Sequence, residues 1–196
     1  MNHTFSNIVK DKEKIIIELG PGEKKIFNNA IGIDRFKKPS VDFLADLNKG
    51  LTFIEDNTVE EIHAYHVLEH VRNLEFLMQE IYRVLKPNGR FCASVPHFSN
   101  PYFYSDYTHV NFWGLYSPVY FSKNNIFQRS IPQYYNKINF TLINVELKFS
   151  SPFRVRNKIK KLFEIAFNSS CYMQELYEEN LTGVFPCHEI KFEMTK

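Results

Sequence analysis

The sequence predicts an α/β fold in which a mostly parallel sheet ends in an antiparallel strand. Short apolar runs alternate with turns through the first half of the chain, and one amphipathic helix lies among them. Near the C-terminus, two segments instead alternate strictly between apolar and polar residues. Alternating strands and crossovers indicate an open parallel sheet, whereas a two-residue period is typical of half-buried antiparallel strands.

Five short apolar runs predict strands that are buried on both faces, as in parallel sheets. The first run ends at a glycine-rich turn, and the fourth follows a polar turn. The predicted strands are Lys14–Leu19, Ala30–Asp34, Val41–Asp46, Val59–Tyr65 and Arg90–Val95.

One helix is predicted between the fourth and fifth strands. Asn73 is a candidate N-cap, and Pro87 and Gly89 are expected to end the helix. Apolar residues follow at helical spacing, namely Leu74, Leu77, Ile81 and Leu85.

The second half of the chain has a different pattern. Ten of the 24 residues from Phe98 to Phe121 are aromatic, in a segment interrupted by Pro, Ser and Asn, which predicts a pocket wall or lid. Strict alternation over Thr141–Phe149 and Glu189–Met194 predicts an antiparallel pair. Residues 155–181 between them are expected to be largely helical, with Ile159, Leu162, Phe163, Ala166 and Phe167 on one apolar face.

The composition is that of one globular domain. The chain has 196 residues, of which 44% are hydrophobic and 23% charged, and its net charge is +2. These values exclude a disordered chain and a protein that coats nucleic acid. Three separated cysteines without a CxxC pair argue against a disulfide scaffold and a cysteine-rich zinc site.

The location expected from the sequence is the cytoplasm. No apolar run approaches the roughly 18 residues that span a bilayer, and the first ten residues lack a signal peptide's apolar centre. The excess of lysine over arginine and the many Asn, Ile, Phe and Tyr residues are typical of an AT-rich bacterial genome.

Polar groups follow four of the predicted strands. In an open α/β sheet, ligands bind beyond the carboxyl ends of the strands. The first strand leads into Glu18–Gly22, where glycines allow a tight turn close to a ligand. The next two end at Asp34 and Asp46, and the fourth leads into His66–His70. A carboxylate such as that of Asp34 can accept hydrogen bonds from both hydroxyls of a ribose.

Taken together, these motifs resemble the class I S-adenosylmethionine-dependent methyltransferases. The resemblance covers residues 14–97, with five separated motifs in the family's order. It is closest to small bacterial members that carry Val-Pro-His after the fifth strand and Asp-x-Thr-His further on. The five family motifs are Glu18–Gly22, Ile31–Asp34, Ala45–Leu47, His66–His70 and Glu80–Gly89. The two segments shared with the small bacterial members are Val95–His97 and Asp106–His109.

The resemblance implies a Rossmann-like fold in one domain over residues 1–196. No metal is expected. Residues 14–97 would bind S-adenosylmethionine, 98–136 would form a substrate lid, and 137–196 would hold the last strands with a helical insertion. Gly20 and Gly22 would let the loop lie against the methionyl part of the cofactor. Glu18 would orient that region. Asp34 would bind the ribose and Asp46 the adenine amino group. The full cofactor-binding set is Glu18, Leu19, Gly20, Gly22, Asp34, Arg35, Asp46, Leu47, His66 and Leu68.

Two departures from the family pattern concern the first crossover. Lys24 stands where the third glycine is common. Only eight residues separate Gly22 from Ile31, too few for a full helix. The small-methyltransferase subgroup shares this shortening. A nicotinamide-binding loop is disfavoured, because Lys25 replaces the last glycine of Gly-x-Gly-x-x-Gly.

The candidate catalytic residues are His97, Asp106 and His109, beyond the fifth strand. A histidine that titrates near neutral pH is a plausible base, and an aspartate can orient it. Two alternatives stay open, namely that Asp106 and His109 brace the loop or that the three residues form a metal triad. Tyr102, Tyr104 and Trp113 are the predicted substrate-binding walls.

The predicted function is methyl transfer from S-adenosylmethionine to an oxygen or nitrogen of a small-molecule or carbohydrate- or nucleotide-linked acceptor, with S-adenosylhomocysteine as product. A role in capsule or surface-polysaccharide biosynthesis is one hypothesis. A basic stretch could bind a phosphate of the acceptor. It consists of Arg154, Arg156, Lys158, Lys160 and Lys161. No membrane or nucleic-acid partner is expected, and a homodimer is an option. The alternative is a catalytically silent subunit that binds a partner protein.

Overall fold

The computed structural model describes residues 4–132 and 134–196. Seven strands form one sheet in the order β3-β2-β1-β4-β5-β7-β6. The strands are β1 Ile16–Leu19, β2 Ile31–Asp34, β3 Phe43–Leu44, β4 Val59–Tyr65, β5 Leu85–Pro96, β6 Thr141–Lys148 and β7 Glu189–Thr195. The α-helices are α1 Phe5–Val9, α2 Leu74–Val84, α3 Arg154–Phe167 and α4 Cys171–Asn180.

The first five strands confirm the prediction of a mostly parallel sheet. β1 pairs with β2 and β4, β2 with β3, and β4 with β5, all in parallel. The carboxyl ends of β1 to β4 therefore meet at one edge. Among the described crossovers between β1 and β5, only α2 is an α-helix.

The shortened first crossover is a loop that covers part of the sheet directly. The Phe27 ring stacks on the His63 ring of β4, with 4.1 Å between ring centroids. His63 is buried, and its burial lowers its pKa. Its ring nitrogens lie 3.2 Å from the Tyr65 hydroxyl and from a Glu61 carboxylate oxygen. His63 is therefore enclosed by its neighbours.

The boundary between α2 and β5 differs from the prediction. The helix ends at Val84, and β5 starts at Leu85, so Pro87 and Gly89 lie within the strand segment instead of ending the helix. Leu85 pairs with Val59, and the pairing then shifts before it resumes at Arg90. Pairing of β5 with β4 thus begins one residue after the helix ends. The predicted cap at Asn73 makes no capping hydrogen bond with its side chain.

The antiparallel prediction is confirmed, with β7 lying between β5 and β6. The predicted helical region is divided into α3 and α4, and the Ser170 hydroxyl caps α4 at the Met173 amide. The predicted apolar face of α3 is only partly correct. Phe163 and Phe167 pack on the core, whereas Leu162 is 66% exposed. Among the described residues, no helix is both long and apolar enough to cross a membrane.

Candidate functional site

The loop after β1 makes a close turn against the loop after β4. Gly20 and Gly22 have φ angles of 62° and 61°, which favour glycine. The Gly20 amide donates to the Ile33 carbonyl at 2.9 Å. A Cβ atom on Gly20 would lie 2.6 Å from Val67 Cγ2, so a side chain there would force the two loops apart.

Glu18 holds this loop from beneath. Its carboxylate is buried and accepts hydrogen bonds from the backbone amides of Ile26 and Phe27 at 3.0–3.2 Å. These amides lie in the crossover that lacks a helix. Glu18 therefore supports the glycine loop and does not line the cavity above it.

The loops after β2 and β3 present two carboxylates. Asp34 Oδ1 accepts a hydrogen bond from the Phe36 amide at 3.0 Å, and the Arg35 guanidinium lies 4.6 Å from the centre of the Phe36 ring. Asp46 caps a short 3-10 turn and accepts from the Asn48 amide and side-chain nitrogen, each at 3.0 Å. These two bonds lower the pKa of Asp46.

His66 has a left-handed backbone conformation, with a φ angle of 53°. Its Nε2 lies 2.7 Å from Glu189 Oε2, and its Nδ1 lies 3.6 Å from Glu69 Oε1. These two carboxylates raise the pKa of His66 to about 9, and His66 in turn lowers the pKa of Glu189 to about 2. The His66 ring is therefore an imidazolium at neutral pH.

These groups surround a cavity of about 470 Å³. Cavities of this size hold small ligands in proteins. Seven of the predicted cofactor-binding residues lie in its wall with three further polar residues, Asn48, His70 and Thr108. The described wall consists of Gly20, Gly22, Asp34, Arg35, Phe36, Ala45, Asp46, Leu47, Asn48, His66, Val67, His70, Val71, Tyr107 and Thr108.

The remaining predicted cofactor-binding residues lie in the core beside the cavity. Leu19 and Leu68 are completely buried, so their side chains support the strand ends from within. Asn48, which is not among the residues predicted from the motifs, connects two parts of the wall through its side chain. Its Oδ1 accepts from the Arg72 and Asn73 amides at 2.8 and 3.3 Å. The Asp-Leu-Asn turn that follows β3 is the sequence signal for this residue.

The three candidate catalytic residues occupy different environments. His97 is fully buried, with Nε2 2.9 Å from Glu178 Oε2 and Nδ1 2.7 Å from the Ser99 hydroxyl. This enclosure favours a structural role, because neither ring nitrogen faces the cavity. Asp106 and His109 lie in the loop beside the cavity, with 3.6 Å between Asp106 Oδ2 and His109 Nε2.

The three residues predicted to form substrate-binding walls do not lie together in the structure. Trp113 is 1% exposed and stacks on Phe192 with 5.6 Å between ring centroids, so its indole belongs to the core. The substrate-wall prediction for Trp113 is corrected for this reason. Tyr104 is 65% exposed and packs beside Phe103. Tyr102 lines a second cavity.

This second cavity has a volume of about 180 Å³ and contains part of the basic stretch. Arg156 and Lys160 line it together with Tyr102 and His188. Lys161, in contrast, forms an ion pair with Glu164 at 2.8 Å. The two cavities are linked through the chain, because His188 of the second cavity directly precedes Glu189, which binds His66 in the wall of the first.

Comparison with known proteins finds one matching family model and one shared fold. A family model described as a methyltransferase domain matches residues 15–93. An S-adenosylmethionine-dependent methyltransferase from Archaeoglobus fulgidus is 15% identical and superposes with a TM-score of 0.59, over 93% of this chain and 86% of that one. No curated protein sequence matches the chain.

Two further structures have the same fold. An S-adenosylmethionine-dependent methyltransferase from Mesorhizobium loti is 12% identical, with a TM-score of 0.54 over 93% of this chain and 90% of that one. Phosphoethanolamine N-methyltransferase 2 from Haemonchus contortus, in complex with S-adenosylmethionine, is 15% identical. Its TM-score is 0.55, over 93% of this chain and 48% of that one.

Proposed function

We propose that the chain is a class I S-adenosylmethionine-dependent methyltransferase and that it methylates an oxygen or nitrogen of a small acceptor that carries a phosphate or a similar anion. The cavity at the ends of β1 to β4 supports the cofactor part of this proposal. The smaller cavity, which Arg156 and Lys160 line, supports the acceptor part.

The donor set of the larger cavity fits the cofactor. Asp34 offers a carboxylate to the two ribose hydroxyls, and the carboxylate of Asp46 suits the adenine amino group. Leu47 would border the adenine ring, and the close turn at Gly20 leaves room for the methionyl chain. When bound, the cofactor supplies an electrophilic methyl group on its sulfonium.

The first crossover cannot offer a helix N-terminus to the methionyl carboxylate, because it contains no helix. The imidazolium of His66 supplies a positive charge in the wall instead. Glu189 and Glu69 hold this ring from two sides, so its charge and orientation are set before the cofactor arrives. We assign His66 to the methionyl end of the cavity.

The acceptor would enter at the end of the cavity formed by His66, His70, Tyr107 and Thr108. The Tyr107 side chain is 96% exposed, so this end opens to solvent. Asp106 and His109 flank the same loop. The main task of the protein here is alignment, because in-line attack on the methyl group requires the acceptor atom at a fixed distance and angle.

The anion of the acceptor would bind between Arg156 and Lys160. Both line the second cavity, and the Lys160 ammonium has only a carbonyl oxygen, that of Pro186 at 3.3 Å, as its described hydrogen-bond partner. Guanidinium and ammonium groups bind phosphate oxygens strongly. A sugar phosphate or nucleotide-linked sugar fits this arrangement and agrees with the hypothesis of surface-polysaccharide biosynthesis.

The test begins with calorimetric titration of the purified protein with S-adenosylmethionine, S-adenosylhomocysteine and NADH in parallel. Micromolar binding of the two adenosyl ligands alone supports the cofactor assignment. Folded protein that binds neither adenosyl ligand would instead favour the catalytically silent subunit. Acceptors are then screened among phosphorylated and nucleotide-linked metabolites by methyl transfer.

The anion site is tested on the first acceptor found. Arg156→Ala and Lys160→Ala are expected to raise KM for that acceptor and to leave the affinity for S-adenosylhomocysteine unchanged. Lys158→Ala is the matched control, because this lysine lies on the same helix but outside the cavity. Equal KM values in all three variants would overturn the assignment.

A further inference from the structure

Three potential metal ligands meet beside the cofactor cavity. Glu69 and His70 lie in the turn after β4, and His109 lies in the loop after β5. Each offers one ligand atom, and these atoms lie within 4.8 Å of one another. The centroids of the two imidazole rings are 4.8 Å apart. His97, the other histidine of the loop after β5, is not part of this cluster.

The two segments that supply these groups are fixed to each other. The amides of Val110 and Asn111 donate to the Glu69 carbonyl at 2.8 and 3.2 Å. The Asn111 side chain donates to the Leu68 and Val71 carbonyls at 2.9 and 2.6 Å. His109 is therefore held beside Glu69, although 39 residues of chain separate them.

Hydrogen bonds on Nδ1 leave Nε2 of both histidines available. His109 Nδ1 lies 2.9 Å from the Phe103 carbonyl, which can only accept, so this nitrogen carries the proton. The Thr108 hydroxyl donates to Asp106 Oδ1 at 2.6 Å and accepts from His70 Nδ1 at 2.9 Å. Metal-binding histidines are oriented in this way, with one nitrogen bound to a carbonyl or hydroxyl and the other free for the ion.

One oxygen of the buried Glu69 carboxylate has no partner among the described residues. The Glu69 side chain is 1% exposed, and Oε2 has no hydrogen-bond partner in the described part of the chain. The other oxygen, Oε1, forms a long ion pair with the His66 imidazolium, 3.6 Å from Nδ1, and lies 4.0 Å from His70 Nε2. Buried carboxylates are normally paired with a cation or bound to a metal.

We propose that Glu69, His70 and His109 bind a divalent transition-metal ion, with Zn²⁺ as the best match, at the acceptor end of the cavity. Two imidazoles and one carboxylate form a ligand set that Zn²⁺ accepts with a fourth position open. Asp106 Oδ2, 3.6 Å from His109 Nε2, lies at the rim of the site. The cluster closes on the ion by a small movement of His70, whose side chain is 32% exposed.

The role of this ion in catalysis rests on the proposed function. His70 lines the cavity, so an open coordination position would face the acceptor. A hydroxyl oxygen bound to the ion would be positioned there, and its pKa would fall, so that it releases its proton to water more readily. A metal-bound His109 has no free lone pair and cannot also be a general base.

The test measures metal binding without any methyl acceptor. Chelator-treated protein is titrated with Zn²⁺ by calorimetry and with Co²⁺ by visible absorption. We expect one ion per chain. The double variant His70→Ala/His109→Ala should bind Zn²⁺ at least ~100-fold more weakly, since even outer partners of a metal site contribute 10–100-fold.

Two further variants separate ligation from folding. Glu69→Gln keeps the shape of the side chain and removes its charge, and it should bind Zn²⁺ at least ~10-fold more weakly. His188→Ala, which removes a histidine outside the cluster, should bind Zn²⁺ as the wild type does. If the double variant fails to fold, the metal site is tested by the Zn²⁺ affinity of Glu69→Gln and by the visible Co²⁺ spectrum of the wild type.

Several results would overturn the metal site. The first is a wild-type protein that does not bind Zn²⁺ or Co²⁺ stoichiometrically. The second is a set of cluster variants that bind Zn²⁺ with the same affinity as His188→Ala. S-adenosylhomocysteine is titrated in chelator as a parallel experiment. Cofactor binding without metal binding would refute the metal site alone, and the reverse would refute the proposed function alone.

Discussion

Replacing Asp34 tests the cofactor assignment at its most specific contact. Asp34 lies in the wall of the larger cavity, and one of its oxygens is used to accept the Phe36 amide at 3.0 Å. The carboxylate keeps further acceptor capacity for the ribose hydroxyls. Asp34→Ala removes both the local turn bond and the proposed ribose contact. Asp34→Asn keeps an acceptor for Phe36 and removes the charge.

The expected loss of affinity follows from the number and type of these bonds. A hydrogen bond to a charged group contributes about 1.5–3 kcal/mol when buried, and less when the group is partly solvated. Asp34 is half-buried. We therefore expect Asp34→Ala to lose ~1–3 kcal/mol of cofactor binding, or about 5-fold to 150-fold in Kd. Asp34→Asn should fall between Asp34→Ala and the wild type.

The assay is calorimetric titration with S-adenosylhomocysteine, with thermal unfolding of each unliganded variant as the folding check. Glu193→Gln is the control, because it removes a carboxylate that pairs with Arg90 away from the cavity. Its Kd should equal that of the wild type. An Asp34→Ala protein that is folded and binds within twofold of the wild type would refute the ribose assignment.

Three further predictions concern packing and reactivity. Trp113→Ala should lower the free energy of unfolding in urea by ~3–5 kcal/mol, since the indole is buried, whereas Tyr104→Ala at an exposed site should change it by less than ~0.5 kcal/mol. Gly20→Ala should weaken S-adenosylhomocysteine binding at least ~10-fold in calorimetry, because its Cβ would meet Val67 at a positive φ angle, which costs of order 1–3 kcal/mol. Cys171 should react with a thiol reagent at pH 8 well before the other two cysteines, because it is exposed and burial raises the pKa of both others. Equal rates for all three thiols in the folded protein would contradict this packing.

The cofactor half of the molecule could be predicted because its sequence signals are local. Each short apolar run became a strand, and parallel strands bring their carboxyl ends to one edge. Gly20, Asp34, Asp46 and His66 follow different strands in the chain and still line one cavity. The strand order alone was enough to bring these four residues together.

The loop after β5 could not be predicted in the same way, because its environment depends on distant segments. His97 has the same sequence context as a catalytic base, yet Glu178 from α4 encloses it at 2.9 Å. The Leu115 amide binds the same glutamate at 2.8 Å. No periodicity in the loop indicates which aromatic or histidine will meet α4. For the same reason, the sequence gives no signal that His70 and His109 would meet.

The short crossovers change how the binding loops are kept in place. In a longer crossover, a helix would satisfy the backbone amides by its own hydrogen bonds. Here, polar side chains form hydrogen bonds with the backbone of the loops instead. Glu18 holds the amides of Ile26 and Phe27, and Asn48 and Asn111 connect the later loops to the ends of β4 and α2. A loop that is ordered before binding loses less conformational entropy when the ligand enters. Substitution of Glu18 or Asn111 should therefore weaken cofactor binding without removing a direct contact, because the cost of ordering the loop is then added to that of binding.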